Sequence, residues 1–72
     1  LKIAGPMVAA KIANARTTLL RAARDHGDPG GTLDAACARI APSIDAALRA
    51  RTLDELRGCE GDAANAYFAV LD

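Results

Sequence analysis

Residues 56–68 read LRGCEGDAANAYF, and this stretch decides both the fold class and the candidate chemistry. Its apolar residues recur at the three- and four-residue spacing of an α-helix. When the residues are placed about 100° apart, Glu60 falls between Leu56, Ala63 and Tyr67. We therefore expect a helix that carries a carboxylate on its packed side.

Two glycines, Gly58 and Gly61, flank this carboxylate. Glycine weakens a helix interior by about 1 kcal/mol relative to alanine, but it lets another backbone or a ligand approach closely. A buried carboxylate must be protonated, paired with a cation or bound to a metal, because burying it charged and alone is very costly. The residues leave three alternatives open for Glu60: an ion pair with Arg16 or Arg57, a metal, or partial exposure through a break in the helix.

The whole chain is organised as three helical segments, with no alternating run that would indicate a strand. The first is expected from about Gly5 to His26, and the glycine-rich turn at residues 26–31 ends it. The second is expected from Thr32, as N-cap, to about Arg49. We predict an all-α fold of three to four helices, the opening part of a larger helical domain.

The third segment begins with a capping box in which Thr52 and Glu55 have the two roles. Because glycine weakens helices, we expect a break near residues 57–58 and a second helix over residues 59–71. Pro42 lies inside the second segment, where it removes a hydrogen bond, so we expect a kink or two short helices there. The predicted buried stripes are Val8, Ile12, Ala15, Leu19 and Ala23 in the first segment, Leu33, Ala36, Cys37, Ile40, Ile44, Ala47 and Leu48 in the second, and Leu53, Leu56, Ala63, Ala64, Tyr67 and Leu71 in the third.

Composition indicates a piece of a larger protein. About half of the 72 residues are apolar, but there is one Phe, one Tyr and no Trp, so an alanine-rich core of this size is marginal by itself. Cys37 and Cys59 are interpreted as reduced, buried thiols of a cytoplasmic protein. No signal peptide or transmembrane stretch is recognisable, and no membrane association is expected.

The charge distribution is uneven, although the net charge is zero. All nine acidic residues lie from Asp25 onward, whereas the charged residues among the first 24 are all basic. This asymmetry is compatible with a nucleic-acid surface beside a cation-binding centre, and equally with an ordinary solvated helix face. The early basic residues are Lys2, Lys11, Arg16, Arg21 and Arg24.

Two blocks of sequence resemble a known family. The stretch TLDELRGCEGDAANAYF, residues 52–68, is similar to the signature of the CRISPR-associated endonuclease/integrase, the first of the Cas proteins. The stretch KIANARTTLLRAAR, residues 11–24, resembles the Lys-x-x-Asn-x-Arg helix of the same family, and the order and spacing of the two blocks fit.

The resemblance implies a place and a function for the chain. Residues 1–72 would form part of the C-terminal helical catalytic domain, without the N-terminal β domain and the remaining helices. The full-length protein would insert short DNA spacers into CRISPR arrays as part of antiviral defence. It would act on double-stranded DNA as a homodimer, together with a small CRISPR-associated partner of the adaptation complex.

The resemblance also implies a site. Glu60 stands where the family has its catalytic, metal-binding glutamate, which holds Mg²⁺ or Mn²⁺ together with a His and an Asp that would lie beyond residue 72. His26 precedes the glutamate and is interpreted as a helix-end residue, and Tyr67 as a packed ring. From charge and motif together, the predicted DNA-binding residues are Lys11, Asn14, Arg16, Arg21 and Arg57.

Two hypotheses follow from the sequence. In the first, the chain is part of a metal-dependent DNA endonuclease/integrase and is inactive by itself. In the second, it is a small helical protein-interaction bundle without catalysis, with Glu60 in a plain salt bridge. In either case we expect bare apolar surface to drive association into a dimer or higher oligomer.

Overall fold

The computed structural model of the protein describes residues 1–70 and consists of three α-helices. Helix α1 spans Ala4–His26, α2 spans Thr32–Arg49 and α3 spans Leu53–Ala69, and a short 3₁₀ turn at Pro29–Gly31 joins the first two helices. No strand occurs within residues 1–70. The prediction of an all-α fold is confirmed, and the predicted helical end at Leu71 lies outside the described residues.

The helices pack through a narrow core of small and medium-sized side chains. The molecule is elongated, with extents of 38 × 16 × 16 Å. Leu19 and Ile40 are almost fully buried, and burying such a side chain contributes about 1.5–3 kcal/mol. The core contains Val8, Ala9, Ile12, Leu19, Ala36, Cys37, Ile40, Ala47, Leu56, Ala63 and Ala66.

Helices α1 and α2 approach each other closely where α1 begins. A Cβ atom added to Gly5 would lie 3.0 Å from the main-chain oxygen of Ala47. Any larger side chain at position 5 would therefore push the two helices apart, since ordinary contacts of this kind are longer. Gly5 lets the main chains of the two helices approach closely at this end of the bundle.

Asp28 caps the start of α2 from across the turn. Its Oδ1 accepts from the main-chain N–H of Leu33 at 2.8 Å, and its Oδ2 accepts from that of Asp34 at 2.9 Å. The prediction of Thr32 as N-cap is wrong: Gly31 occupies that position and Thr32 is the first helical residue. The turn decides this, because positive φ angles of 78° at Gly30 and 70° at Gly31 fold the chain back over the helix end.

Pro42 does not divide α2, which is one α-helix from Thr32 to Arg49. The proline ring is exposed, while Ile40 and Ala47 on either side are fully buried. Of the two predicted alternatives, a kink or two short helices, the second is wrong, because packing on both sides of the proline outweighs the one main-chain hydrogen bond that it removes.

Helix α3 is also continuous, and the predicted break near residues 57–58 is wrong. Its buried positions continue across both glycines along one side, so tertiary packing overrides the low helix propensity of glycine. The capping box is confirmed at Thr52, whose Oγ1 accepts from the N–H of Glu55 at 3.1 Å. The carboxylate of Glu55 reaches one residue further back, to the N–H of Arg51 at 2.6 Å.

Two leucines predicted to be buried are on the surface. Leu48 is 55% exposed and Leu53 is 57% exposed. Leu48 follows the fully buried Ala47 and lies at the edge of the packed side of α2, and Leu53 is the first residue of α3, one turn before the first buried position at Leu56. Among residues 1–70, no helix combines the length and the apolarity that crossing a bilayer requires.

Candidate functional site

A groove between α1 and α3 contains Glu60, the residue that the sequence analysis identifies as a candidate metal ligand. Its volume is about 200 Å³. Side chains of α1 form one wall and side chains of α3 form the other, and a charged residue from each helix contributes to the lining. The residues that line it are Lys11, Ile12, Ala15, Glu60, Ala63, Ala64, Tyr67 and Phe68.

Glu60 is half-exposed at this groove, with 43% of its side chain accessible to solvent. It lies on the same side of α3 as Ala63 and Tyr67, which confirms the predicted direction of the side chain. Its partial exposure matches one of the three alternatives, but the cause differs from the expected one: α3 is unbroken, and the groove gives the carboxylate access to water.

The charge partner of Glu60 is Lys11. The Lys11 Nζ lies 3.6 Å from the Glu60 Oε2. The predicted alternative of an ion pair between Glu60 and Arg16 or Arg57 is therefore wrong. Lys11 is not among the predicted buried positions of α1, and its long flexible stem carries the ammonium across the groove to α3. Because the Lys11 side chain is 73% exposed, the pair contributes at most about 1 kcal/mol to stability.

Arg16 ties α1 to α2 instead of facing the groove. Its Nε donates to the main-chain oxygen of Cys37 at 3.3 Å, and the Cys37 thiol donates to the main-chain oxygen of Arg16 at 3.6 Å. Burial raises the pKa of the Cys37 thiol, and the positive charge of Arg16 opposes this rise only in part. Cys37 is buried as predicted, whereas Cys59, also predicted to be buried, is half-buried, and both cysteines are free.

The remaining predicted DNA-binding residues lie on the surface. Lys11, Asn14 and Arg21 are exposed along α1 at a spacing that places them on one face of the helix. Arg57 is exposed on α3, one turn before Glu60, and its Nη1 lies 3.9 Å from the Oδ1 of Asp54. These side chains are accessible to a DNA backbone, and their DNA contacts stay predictions.

Two aromatic rings lie side by side at the groove. Tyr67 is half-buried and meets Phe68 edge to face, with ring centroids 5.5 Å apart and an interplanar angle of 83°. Phe68 is 62% exposed. Sequence reasoning did not single out Phe68, because its helical angle places it beside the predicted packed stripe, and only the position of α1 makes it part of the groove.

As a metal site, this arrangement supplies one ligand. Among residues 1–70, no three His, Cys, Asp or Glu side chains come together, and His26 lies at the far end of α1. Mg²⁺ requires six ligands in near-ideal octahedral geometry. Glu60 fits the role of one oxygen ligand in a larger set, because its carboxylate is accessible and held on a continuous helix, and the other ligands would have to come from outside these residues.

The whole chain matches one family model. The model described as CRISPR associated protein Cas1 covers residues 1–72. This chain belongs to the Cas1 family.

Curated relatives of this Cas1 chain are named CRISPR-associated endonucleases. It is 43% identical to Cas1 1 of Moorella thermoacetica over 97% of the chain and 21% of the relative. It is 45% identical to Cas1 1 of Chlorobaculum tepidum over 90% of the chain and 20% of the relative. The Cas1 of Leptospira interrogans is 35% identical over 100% of the chain and 29% of its own length. The chain thus spans about a fifth to a third of these relatives, and no solved structure matches it closely enough for comparison.

Proposed function

We propose that this chain is part of a DNA endonuclease and integrase that inserts short DNA spacers into CRISPR arrays. Membership of the Cas1 family and the endonuclease names of the curated relatives support the reaction class. The observation that carries the proposal in the structure is Glu60, an accessible carboxylate at the rim of the groove between α1 and α3.

Glu60 would be one ligand of a divalent cation, Mg²⁺ or Mn²⁺, completed by residues elsewhere in the full-length protein. When bound, such an ion neutralises charge on a phosphodiester and lowers the pKa of an attacking hydroxyl. The contribution of Glu60 is to hold negative charge at a fixed position, because α3 is capped at its start and packed along its length.

The exposed face of α1 would bind the backbone of double-stranded DNA. Lys11, Asn14 and Arg21 offer charge and hydrogen-bond donors to phosphates, and phosphate contacts position a duplex without reading its sequence. Arg57, exposed on α3 one turn before Glu60, would add a further phosphate contact. The Nε of Arg16 is already bound to the main chain of α2, so its DNA contact would use the two terminal nitrogens.

The surface of the chain also supports association with other parts of the assembly. Ile3 is 74% exposed and Met7 is 62% exposed at the start of α1, and Phe68 is equally accessible at the groove. We propose that further helices of the same domain, a second copy and a small CRISPR-associated partner bury such apolar side chains in the cytoplasmic complex.

Replacing Glu60 in the full-length protein tests the proposal. Glu60→Gln removes the charge while keeping the size of the side chain, and we expect it to abolish Mn²⁺-dependent nicking and joining of DNA. Overall helicity and DNA affinity should be retained, because Glu60 is half-exposed and its ion pair with Lys11 is an exposed, weak one. Asp62→Asn, an exposed carboxylate two residues further along α3, is the matched control and should remain active. Normal activity of Glu60→Gln would refute the proposal.

The alternative is an interaction bundle in which Glu60 serves only in the salt bridge, and the 3.6 Å contact with Lys11 is the observation that favours it. In that case the double variant Lys11→Met with Glu60→Met should be neutral or slightly stabilising, because an exposed pair contributes little. Divalent ions should then leave the melting temperature of the full-length protein unchanged, whereas the proposed metal site requires an increase.

A further inference from the structure

The Lys11 ammonium lies beside the carboxylate that would bind the divalent cation. Its ammonium is 3.6 Å from the Oε2 of Glu60, and the two residues come from different helices across the groove. The pairing is therefore a product of tertiary packing and not of neighbouring positions on one helix. The same carboxylate cannot hold an ammonium and a divalent ion at close range without strong repulsion between the two cations.

The ammonium is also free to leave. The Lys11 side chain is 73% exposed, so it can move into water without losing buried contacts. Lysine carries its charge on a flexible four-carbon stem, and an exposed lysine–carboxylate pair is held only weakly. A divalent ion has twice the charge of the ammonium and gains further ligands, so it should win the competition for the carboxylate.

We propose that Lys11 is an exchangeable counter-ion of Glu60, which a divalent cation displaces from the carboxylate when it binds. This inference rests on the proposed function, because it takes Glu60 as a ligand of the metal. It assigns Lys11 as a positioning residue: the ammonium neutralises Glu60 before the metal arrives and lowers the affinity of the metal by competing with it.

The affinity of the full-length protein for Mn²⁺, titrated without DNA and followed by electron paramagnetic resonance, tests this assignment. Lys11→Met removes the competing charge, and we expect it to bind Mn²⁺ about three- to tenfold more tightly than the unaltered protein. Lys11→Arg keeps a positive charge at the same position and should bind Mn²⁺ much as the unaltered protein does.

Lys2→Met is the matched control, since it removes the same charge at a position nine residues earlier in the chain. Lys2 precedes α1, and the rise from Ala4 to Lys11 is by itself about 10 Å, which is about the Debye length at 0.1 M salt, so Mn²⁺ affinity should change little. Unchanged or weaker Mn²⁺ binding by Lys11→Met, or equal tightening by Lys2→Met, would overturn the assignment.

Glu60→Gln separates this inference from the proposed function. If Glu60 is a ligand, Glu60→Gln binds Mn²⁺ much more weakly than the unaltered protein, whatever Lys11 does. If Glu60→Gln binds Mn²⁺ normally, the proposed role of Glu60 fails and the assignment of Lys11 fails with it. If Glu60→Gln loses Mn²⁺ while Lys11→Met leaves the affinity unchanged, only the assignment of Lys11 fails.

Discussion

Three glycines lie inside helices, and the same substitution should have opposite effects on stability at different positions. A Cβ atom added to Gly5 would lie 3.0 Å from the main-chain oxygen of Ala47, whereas one added to Gly58 or Gly61 meets no atom within 4 Å. None of the three glycines has a positive φ angle, so alanine fits the local backbone at each position.

The expected magnitudes follow from two terms. Replacing glycine by alanine in a helix interior contributes about 0.5–1 kcal/mol of stability, which applies at Gly58 and Gly61, whereas Gly5 lies in the first turn of α1 and gains less. At position 5 the close contact adds an overpacking cost of about 1–3 kcal/mol, because the obstructing atom belongs to a main chain that cannot rotate away. Gly58→Ala and Gly61→Ala should each stabilise the protein by about 0.5–1 kcal/mol, and Gly5→Ala should destabilise it by up to about 2 kcal/mol.

Urea denaturation followed by far-ultraviolet circular dichroism measures these differences. The difference in unfolding free energy between Gly5→Ala and Gly58→Ala reports mainly the overpacking term, because this term is larger than the difference in helix propensity between the two positions. Equal stability of Gly5→Ala and Gly58→Ala would refute the reasoning.

If a ligand approaches α3 at the two glycines beside Glu60, Gly58→Ala and Gly61→Ala in the full-length protein should also lose DNA joining despite their higher stability.

Two further residues give sharp tests of the packing. Asp28→Ala leaves the N–H groups at the start of α2 without their carboxylate and should lower the unfolding free energy by about 1–2 kcal/mol. Its control is Asp45→Ala, at an exposed position, which should change the unfolding free energy by less than about 0.5 kcal/mol. Equal losses in the two variants would contradict the capping role of Asp28. Cys37, 2% exposed, should react with a thiol-specific reagent far more slowly than the half-buried Cys59, as mass spectrometry of the labelled peptides would show. Because burial raises the pKa of the Cys37 thiol, the contribution of Cys37 to stability should be constant below the pKa of this thiol in the unfolded chain and be lost as the pH rises through its higher pKa in the folded state. Cys37→Ala should remove this part of the pH dependence.

The candidate site was predictable in part. The helical spacing around residues 56–68 placed Glu60 on the side of Ala63 and Tyr67, and the structure confirms that direction. The spacing could not identify Lys11 as the partner of Glu60, because helical angles describe one helix at a time and Lys11 lies on another helix. Its long stem crosses a groove whose width depends on how α1 and α3 pack.

Local sequence preferences also failed to predict the start of α2 and the continuity of α3. Thr32 is a good N-cap residue by type, but the turn before it brings the carboxylate of Asp28 over the helix end. Low propensity at Gly58 predicted a break, but burial of Leu56 and Ala63 on either side holds the helix together. The helix propensity of one glycine amounts to about 1 kcal/mol, and tertiary packing exceeds it at Gly58, whereas at Thr32 the glycine turn and the Asp28 carboxylate decide the cap.

The amino-acid sequence by itself determined the helical class, the approximate ends of the three helices, the capping box at Thr52 and the resemblance to the family. These features depend on neighbouring residues, whose geometry is fixed by the 3.6-residue period and by local hydrogen bonds. Only the tertiary structure decided that α2 and α3 are continuous, that Arg16 binds α2 and that Lys11 meets Glu60. Those outcomes depend on distances between helices, which no single helix encodes.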